Sequence, residues 1–188
     1  MLSTVLKLFK EELTDHFKRF GVINSKIEFP SSKDGTRESI DFVDQALNIM
    51  VVNLEEEKTL RQADLFHHEK GGKPFKALPE IRLNLYLLFV ANLPNYLTSM
   101  DMLSMVIRFF LNRKVFDKSN TPRLSGEIQR LTIELVTLPF SEQNEVWNAL
   151  RTSYKPSVLY KVRMIVFSPD APLEQQPNIQ EIKIENKK

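Results

Sequence analysis

His67 and His68, with Asp64 before them and Glu69 after, are the residues whose types could hold a divalent metal and activate a water on it. Their spacing works against that chemistry. Adjacent side chains point about 100° apart on a helix and to opposite faces on a strand, so the two imidazoles do not share one ion as an i, i+4 pair does. Gly71, Gly72 and Lys73 resemble a phosphate loop only at the surface. No earlier glycine has the required spacing, and Pro74 stands where a Ser or Thr would hold magnesium. Ser157 lacks the Gly-x-Ser-x-Gly elbow, and His16, His67 and His68, the only histidines, suggest no triad. The sequence therefore offers no catalytic set, metal shell or cofactor site, and a protein that is not an enzyme is expected.

Composition narrows the remaining classes. The 188 residues are 42% hydrophobic and 27% charged, enough for one globular domain with its own core. Twenty-six basic and 24 acidic residues leave a net charge of +2, which supplies no general field for nucleic acid or an anionic membrane. The absence of cysteine removes disulfides and thiol chemistry and fits a reducing compartment. Lys7, Lys10, Glu11 and Glu12 interrupt the apolar run that a signal peptide needs. No window reaches the roughly eighteen uncharged apolar residues of a membrane span. A soluble chain, assembled in the cytoplasm, is the expectation.

The elements that must position any site are read from hydrophobic period. Leu2, Val5, Leu6, Phe9, Leu13, Phe17 and Phe20 fall at helical spacing, and Gly21 ends the helix. Strands are expected at "KIEF", at "ALNIMVVNLEEEKTLR", which turns charged at its end, and at "IRLNLYLLFVAN", the last with Ile81, Leu83, Leu85, Leu87 and Phe89 buried and its other face wet at the start. Residues 61–79 have no period and read as a long exposed loop. Thr98 and Asp101 have capping-box spacing before a helix whose apolar face is Met102, Leu103, Val106, Ile107, Phe110 and Leu111. A polar stretch over 112–129 leads to the strand "RLTIELVTLP", and Ser141 reads as the N-cap of a short helix with Glu142 and Glu145 in its first turn. The whole is a mixed α/β domain of α+β type, a mainly antiparallel sheet flanked by helices, over residues 1–168. Residues 169–188 form a Pro-rich linker and a final strand.

The segment "EVWNALRTSYKPSVLYKVRMIVF" changes period at Tyr154-Lys155-Pro156, from helix to strand. Trp147 reads as a core anchor of the short helix. In the strand, Val158, Tyr160, Val162, Met164 and Val166 form an apolar face, whereas Leu159, Lys161, Arg163, Ile165 and Phe167 form a mixed one. A mixed face on a chain without a catalytic set reads either as a solvated surface or as a subunit contact. Farther on, Ile182 and Ile184 alternate with Glu181, Lys183 and Glu185, the pattern of a strand that needs an existing sheet edge. Arg151, Tyr154, Lys155, Lys161, Arg163, Ile182 and Ile184 are thus the candidate contact residues.

Taken in order, the segments over 47–61, 81–92 and 131–139, the helix after 92, and above all 145–167 resemble the cap proteins of phage-tail-like contractile injection systems, the tail-terminator (Pvc16-like N-terminal domain) family. The loop over 67–79 is longer than the connection usual there. The resemblance implies a structural ring, sixfold, that seats on the last ring of sheath and inner tube and stops polymerisation, with no cofactor. It implies contacts with copies of itself and with sheath and tube proteins. A neck or sheath-junction adaptor is the rival within that class. Outside it stand a metal-dependent hydrolase on the His67-His68 loop and a nucleic-acid adaptor using Arg151, Lys155, Lys161 and Arg163 as a phosphate stripe, whose binding would collapse with salt.

Overall fold

Helix α1 (Leu2–Arg19) turns its apolar residues Val5, Leu8, Phe9, Leu13 and Phe17 inward, the face its period of 3.6 dictates. Gly21, at φ +79°, closes it: the Gly21 N–H donates to Lys18 and the Val22 N–H to Phe17, the paired bonds of a left-handed helix stop. The computed structural model describes residues 1–22, 26–32, 40–57, 68–70, 73–75 and 81–166.

Among these residues the chain continues through β1 (Lys26–Glu28), β2 (Ser31–Ser32), β3 (Ile40–Asp41), β4 (Ala46–Glu56), β5 (His68–Lys70), β6 (Lys73–Phe75) and β7 (Ile81–Asn92). Then follow α2 (Tyr96–Asn112), β8 (Val115–Asp117), β9 (Ile128–Val136), α3 (Phe140–Ala149) and β10 (Ser157–Val166). The six-stranded sheet has the order β1-β4-β7-β10-β9-β8; β1 pairs with β4 in parallel and every other pair is antiparallel. This is the mixed, mainly antiparallel sheet expected.

The alternation of β-strands sends side chains to two cores. On one face Leu47, Ile49, Leu85, Leu87, Phe89, Ile133, Tyr160, Val162 and Met164 pack under α1 and α2. Phe9, Phe110 and Phe116 meet there edge to face, with ring centroids 5.3 Å (Phe9–Phe116) to 6.4 Å (Phe110–Phe116) apart. On the other face a smaller core joins Phe42, Leu88, Val90 and Leu159 to Trp147 of α3, which is only 4% exposed. Trp147 is the core anchor its spacing suggests, and helices lie on both faces of the sheet.

Several local expectations change. The N-cap of α2 is Asn95, whose Oδ1 accepts from the Thr98 N–H at 3.2 Å, so Thr98 sits inside the helix and no capping box forms with Asp101. Phe109 is buried on that helix and Leu111 is exposed. Within the polar stretch, β8 places Phe116 fully in the core. Helix α3 begins at Phe140 after Pro139 with no side-chain cap; Ser141 is already helical, and of the two glutamates only Glu142 lies in the first turn. The region expected as a long exposed loop contains the antiparallel ribbon β5–β6. His68 opens β5, while His67 lies outside the described residues.

Candidate subunit-contact surface

Two groups of residues occupy the sheet face shared with α3, and a turn and a bulge position them. At the end of α3, Arg151 takes φ +52°, a left-handed conformation that stops the helix without a glycine. Tyr154 then sets its ring edge-on to Trp147, centroids 5.4 Å apart, and the Pro156 carbonyl accepts from the Ala91 N–H at 2.9 Å. Lys155 donates from Nζ to Asn92 Oδ1 at 2.9 Å. The chain is thereby tied to the end of β7 before β10 starts. Arg151 and Tyr154 remain exposed, and Lys155 is half-buried.

The second group lies along β10. Lys161 stands opposite Tyr86 of β7 and Glu134 of β9, and Arg163 opposite Asn84 and Thr132. Lys161 Nζ sits 5.5 Å from the centre of the Tyr86 ring, the Tyr86 hydroxyl donates to Glu55 Oε2 at 3.0 Å, and Arg163 pairs with Glu134 at 3.1 Å. Glu55 reaches this face because of a bulge. Between Val51 and Asn53 the register of β4 on β7 shifts by one, so Glu55 rather than Leu54 faces Asn84. Asn84 is 3% exposed rather than wet; its Nδ2 donates to Glu57 Oε2 at 3.0 Å, and its Oδ1 has no partner among the described residues.

The structure therefore separates the sequence candidates. Arg151, Tyr154 and Lys155 gather at the α3 end of the sheet, and Lys161 and Arg163 stand toward the other end, Arg163 about 20 Å from the start of β10 at ~3.4 Å per residue. Each of the two β10 cations already faces an aromatic ring or a carboxylate of its own sheet. Ile182 and Ile184 lie outside the described residues. Sequence reading missed Glu55, Tyr86 and Glu134. The Thr132–Glu134 alternation on β9 could have signalled one of them, whereas Glu55 depends on a bulge that no residue type announces.

Among the described residues no three His, Asp or Glu side chains converge as a metal site, and no helix is long and apolar enough to cross a membrane. A polar cleft of about 350 Å³ between α1 and the end of α2 contains His16, Glu12, Asp15 and Arg113. Its charges are paired internally: Arg113 with Glu12 at 2.6 Å and, at its rim, Arg123 with Asp15 at 2.8 Å. The Arg123 hydrogen bond holds the Asp15 carboxyl below the usual carboxylate range. Burial, aided by Arg19 and Arg108, pushes the His16 imidazole below its ordinary value. Under the helices, burial raises the Tyr160 phenol to about 12, so it stays neutral.

Residues 4–181 match the family described as the Pvc16 N-terminal domain. No curated protein sequence matches the chain. Among solved structures, the fold is similar to the sheath/tube terminator, in its extended state, of the extracellular contractile injection system PVC. That likeness has a TM-score of 0.63 and 15% identity over 100% of this chain and 64% of the other. It is also similar to the tube-terminating cap of the anti-feeding prophage, with a TM-score of 0.61 and 12% identity over 97% of this chain and 60% of that one. The chain thus spans less than two thirds of the length of either protein. With the family match running from the first turn of α1 past the end of β10, the chain belongs to the Pvc16 N-terminal domain family.

Proposed function

We propose that this chain is a structural cap that forms a ring, sixfold and built from copies of itself, on the last ring of sheath and inner tube in a contractile injection particle. The observation that carries the reading is the family match over residues 4–181, with a fold shared over the whole chain with a sheath/tube terminator and a tube-terminating cap. The mixed sheet face suits the task. It is polar and shape-defined, its charges are oriented by neighbours, and docking onto it needs complementarity rather than acid–base groups. A terminator has to accept one ring and offer no further docking site, so its product, assembled in the cytoplasm on this reading, is a particle of fixed length.

Deleting the gene tests this. Sheath and tube proteins are expected to be made at normal levels, while negative-stain images show particles of uncontrolled length or broken distal ends. Particles of normal length and stability after the deletion would refute the cap role.

A further inference from the structure

Strand β9 has an outer edge that β8 covers only in part. β8 pairs with Arg130, Leu131 and Thr132, and one further bond runs from the Ile133 N–H to the Lys114 carbonyl at 2.9 Å. Backbone groups of a strand alternate sides, so the N–H and C=O of Leu135 point the same way as those of Ile133, outward. Among the described residues no strand meets them. Beside this open edge lies an apolar groove of about 240 Å³ lined by Leu135, Val136, Leu138, Val146, Trp147 and Val158. The lining comes from both faces of the sheet end: Leu135 and Val158 belong to the side of α1 and α2, Val136 and Trp147 to the side of α3. Phe140, 90% exposed, follows just after the groove wall at Leu138.

An open edge with an apolar wall on one face accepts an added strand, whose apolar side chains enter that wall and whose charged alternate ones lie on the side of Leu135, 53% exposed, while its backbone completes the ladder. We infer that the β9 edge and its groove receive residues 178–188 of an adjacent copy of this chain, with Ile182 and Ile184 against the Trp147 wall. This rests on the ring reading above. The sequence of that segment has the required alternation, and 167–177 separate it from β10. Eleven residues reach ~36 Å when extended, longer than the ~30 Å length of β9. The donor's identity follows from where β10 ends. Val166 pairs with Ile128, at the far end of β9 from the groove, and the edge between them carries β8. A segment returning within its own chain meets β8 on its way; one from an adjacent copy enters from the open side.

The chain has no cysteine, so cross-linking can be read cleanly. Full-length chains carrying Thr137→Cys and Ile184→Cys on separate copies, distinguished by tags of different mass, are co-expressed with the particle and oxidised. The expected result is a mixed-tag disulfide dimer, formed at least tenfold more than by a Ser104→Cys and Ile184→Cys pair, and lost when Val146→Glu is added to the acceptor. Two results would overturn the exchange: no enrichment over the Ser104 pair, or, in a chain carrying both Thr137→Cys and Ile184→Cys, linkage only within one chain. Particles of normal length without the cross-link remove the exchange and leave the cap reading standing. Cross-linked rings that never join particles support the exchange and refute the cap.

Discussion

Arg163 and Glu134 sit half-exposed on the mixed face, 3.1 Å apart, where solvent screens their attraction. Such a pair contributes about 0–1 kcal/mol to folding. Arg163→Glu is therefore expected to lower the stability of the isolated chain by no more than about 1 kcal/mol in denaturant unfolding, since it sets like charges together on a wet surface. Its effect on assembly should be much larger. A contact face presents a fixed charge pattern to its partner, and reversing one of its charges replaces attraction with repulsion. Incorporation into particles, measured by co-sedimentation, should fall at least tenfold. Normal incorporation would show that Lys161 and Arg163 mark a solvated face, the other reading that their alternation allows.

Helix α1 carries a second titratable feature that only packing reveals. His16 packs against Phe20 and Phe109, with centroids 4.8 and 5.1 Å away, and its Nε2 is buried without a hydrogen-bond partner. Arg19, Arg108, Glu12, Asp15, Arg113 and Arg123 are the charged groups around it. Because the folded pKa lies below the unfolded value of 6.5, the unfolded chain binds the proton first as pH falls. Stability is thus flat with respect to this group above about pH 6.5 and declines below it, until the folded pKa is passed. His16→Leu should flatten that decline in urea titrations between about pH 7 and 5; an unchanged slope would assign the pH dependence to other groups. The elements themselves were legible where one signal dominates: α1 from its 3.6-residue pattern, β7 and β10 from alternation, and β4 from its run of β-branched and aliphatic residues. They were not legible where a core contribution rests on one residue, as with Phe116 in β8, or where several capping types compete, as Asn95 and Thr98 do within four positions. The candidate contact surface was half legible. Lys161 and Arg163 show by alternation, but Glu55, which accepts from the hydroxyl of Tyr86 beside Lys161, arrives through the β4 bulge, and the burial of Asn84 comes from neighbours distant in sequence.

At the scale of the whole molecule, every described member of the two cores lies at or before Met164. The larger is closed by α1, α2 and all six sheet strands, and the smaller by Phe42, α3 and the sheet. A chain truncated after Ser168 therefore retains every buried contact described here. It should give the same helix and strand content by circular dichroism and unfold within about 1 kcal/mol of the full chain, the usual range for changes outside a core. Its deficit should lie in assembly, where loss of residues 178–188 leaves the β9 edge without its added strand and the ring without a link between neighbours. Sizing of the isolated protein and its incorporation into particles separate the outcomes. A truncated chain that caps particles as well as the full one makes the segment dispensable. One that fails to fold makes it part of its own subunit's core, and the division into a body of 1–168 and an arm of 169–188 then falls.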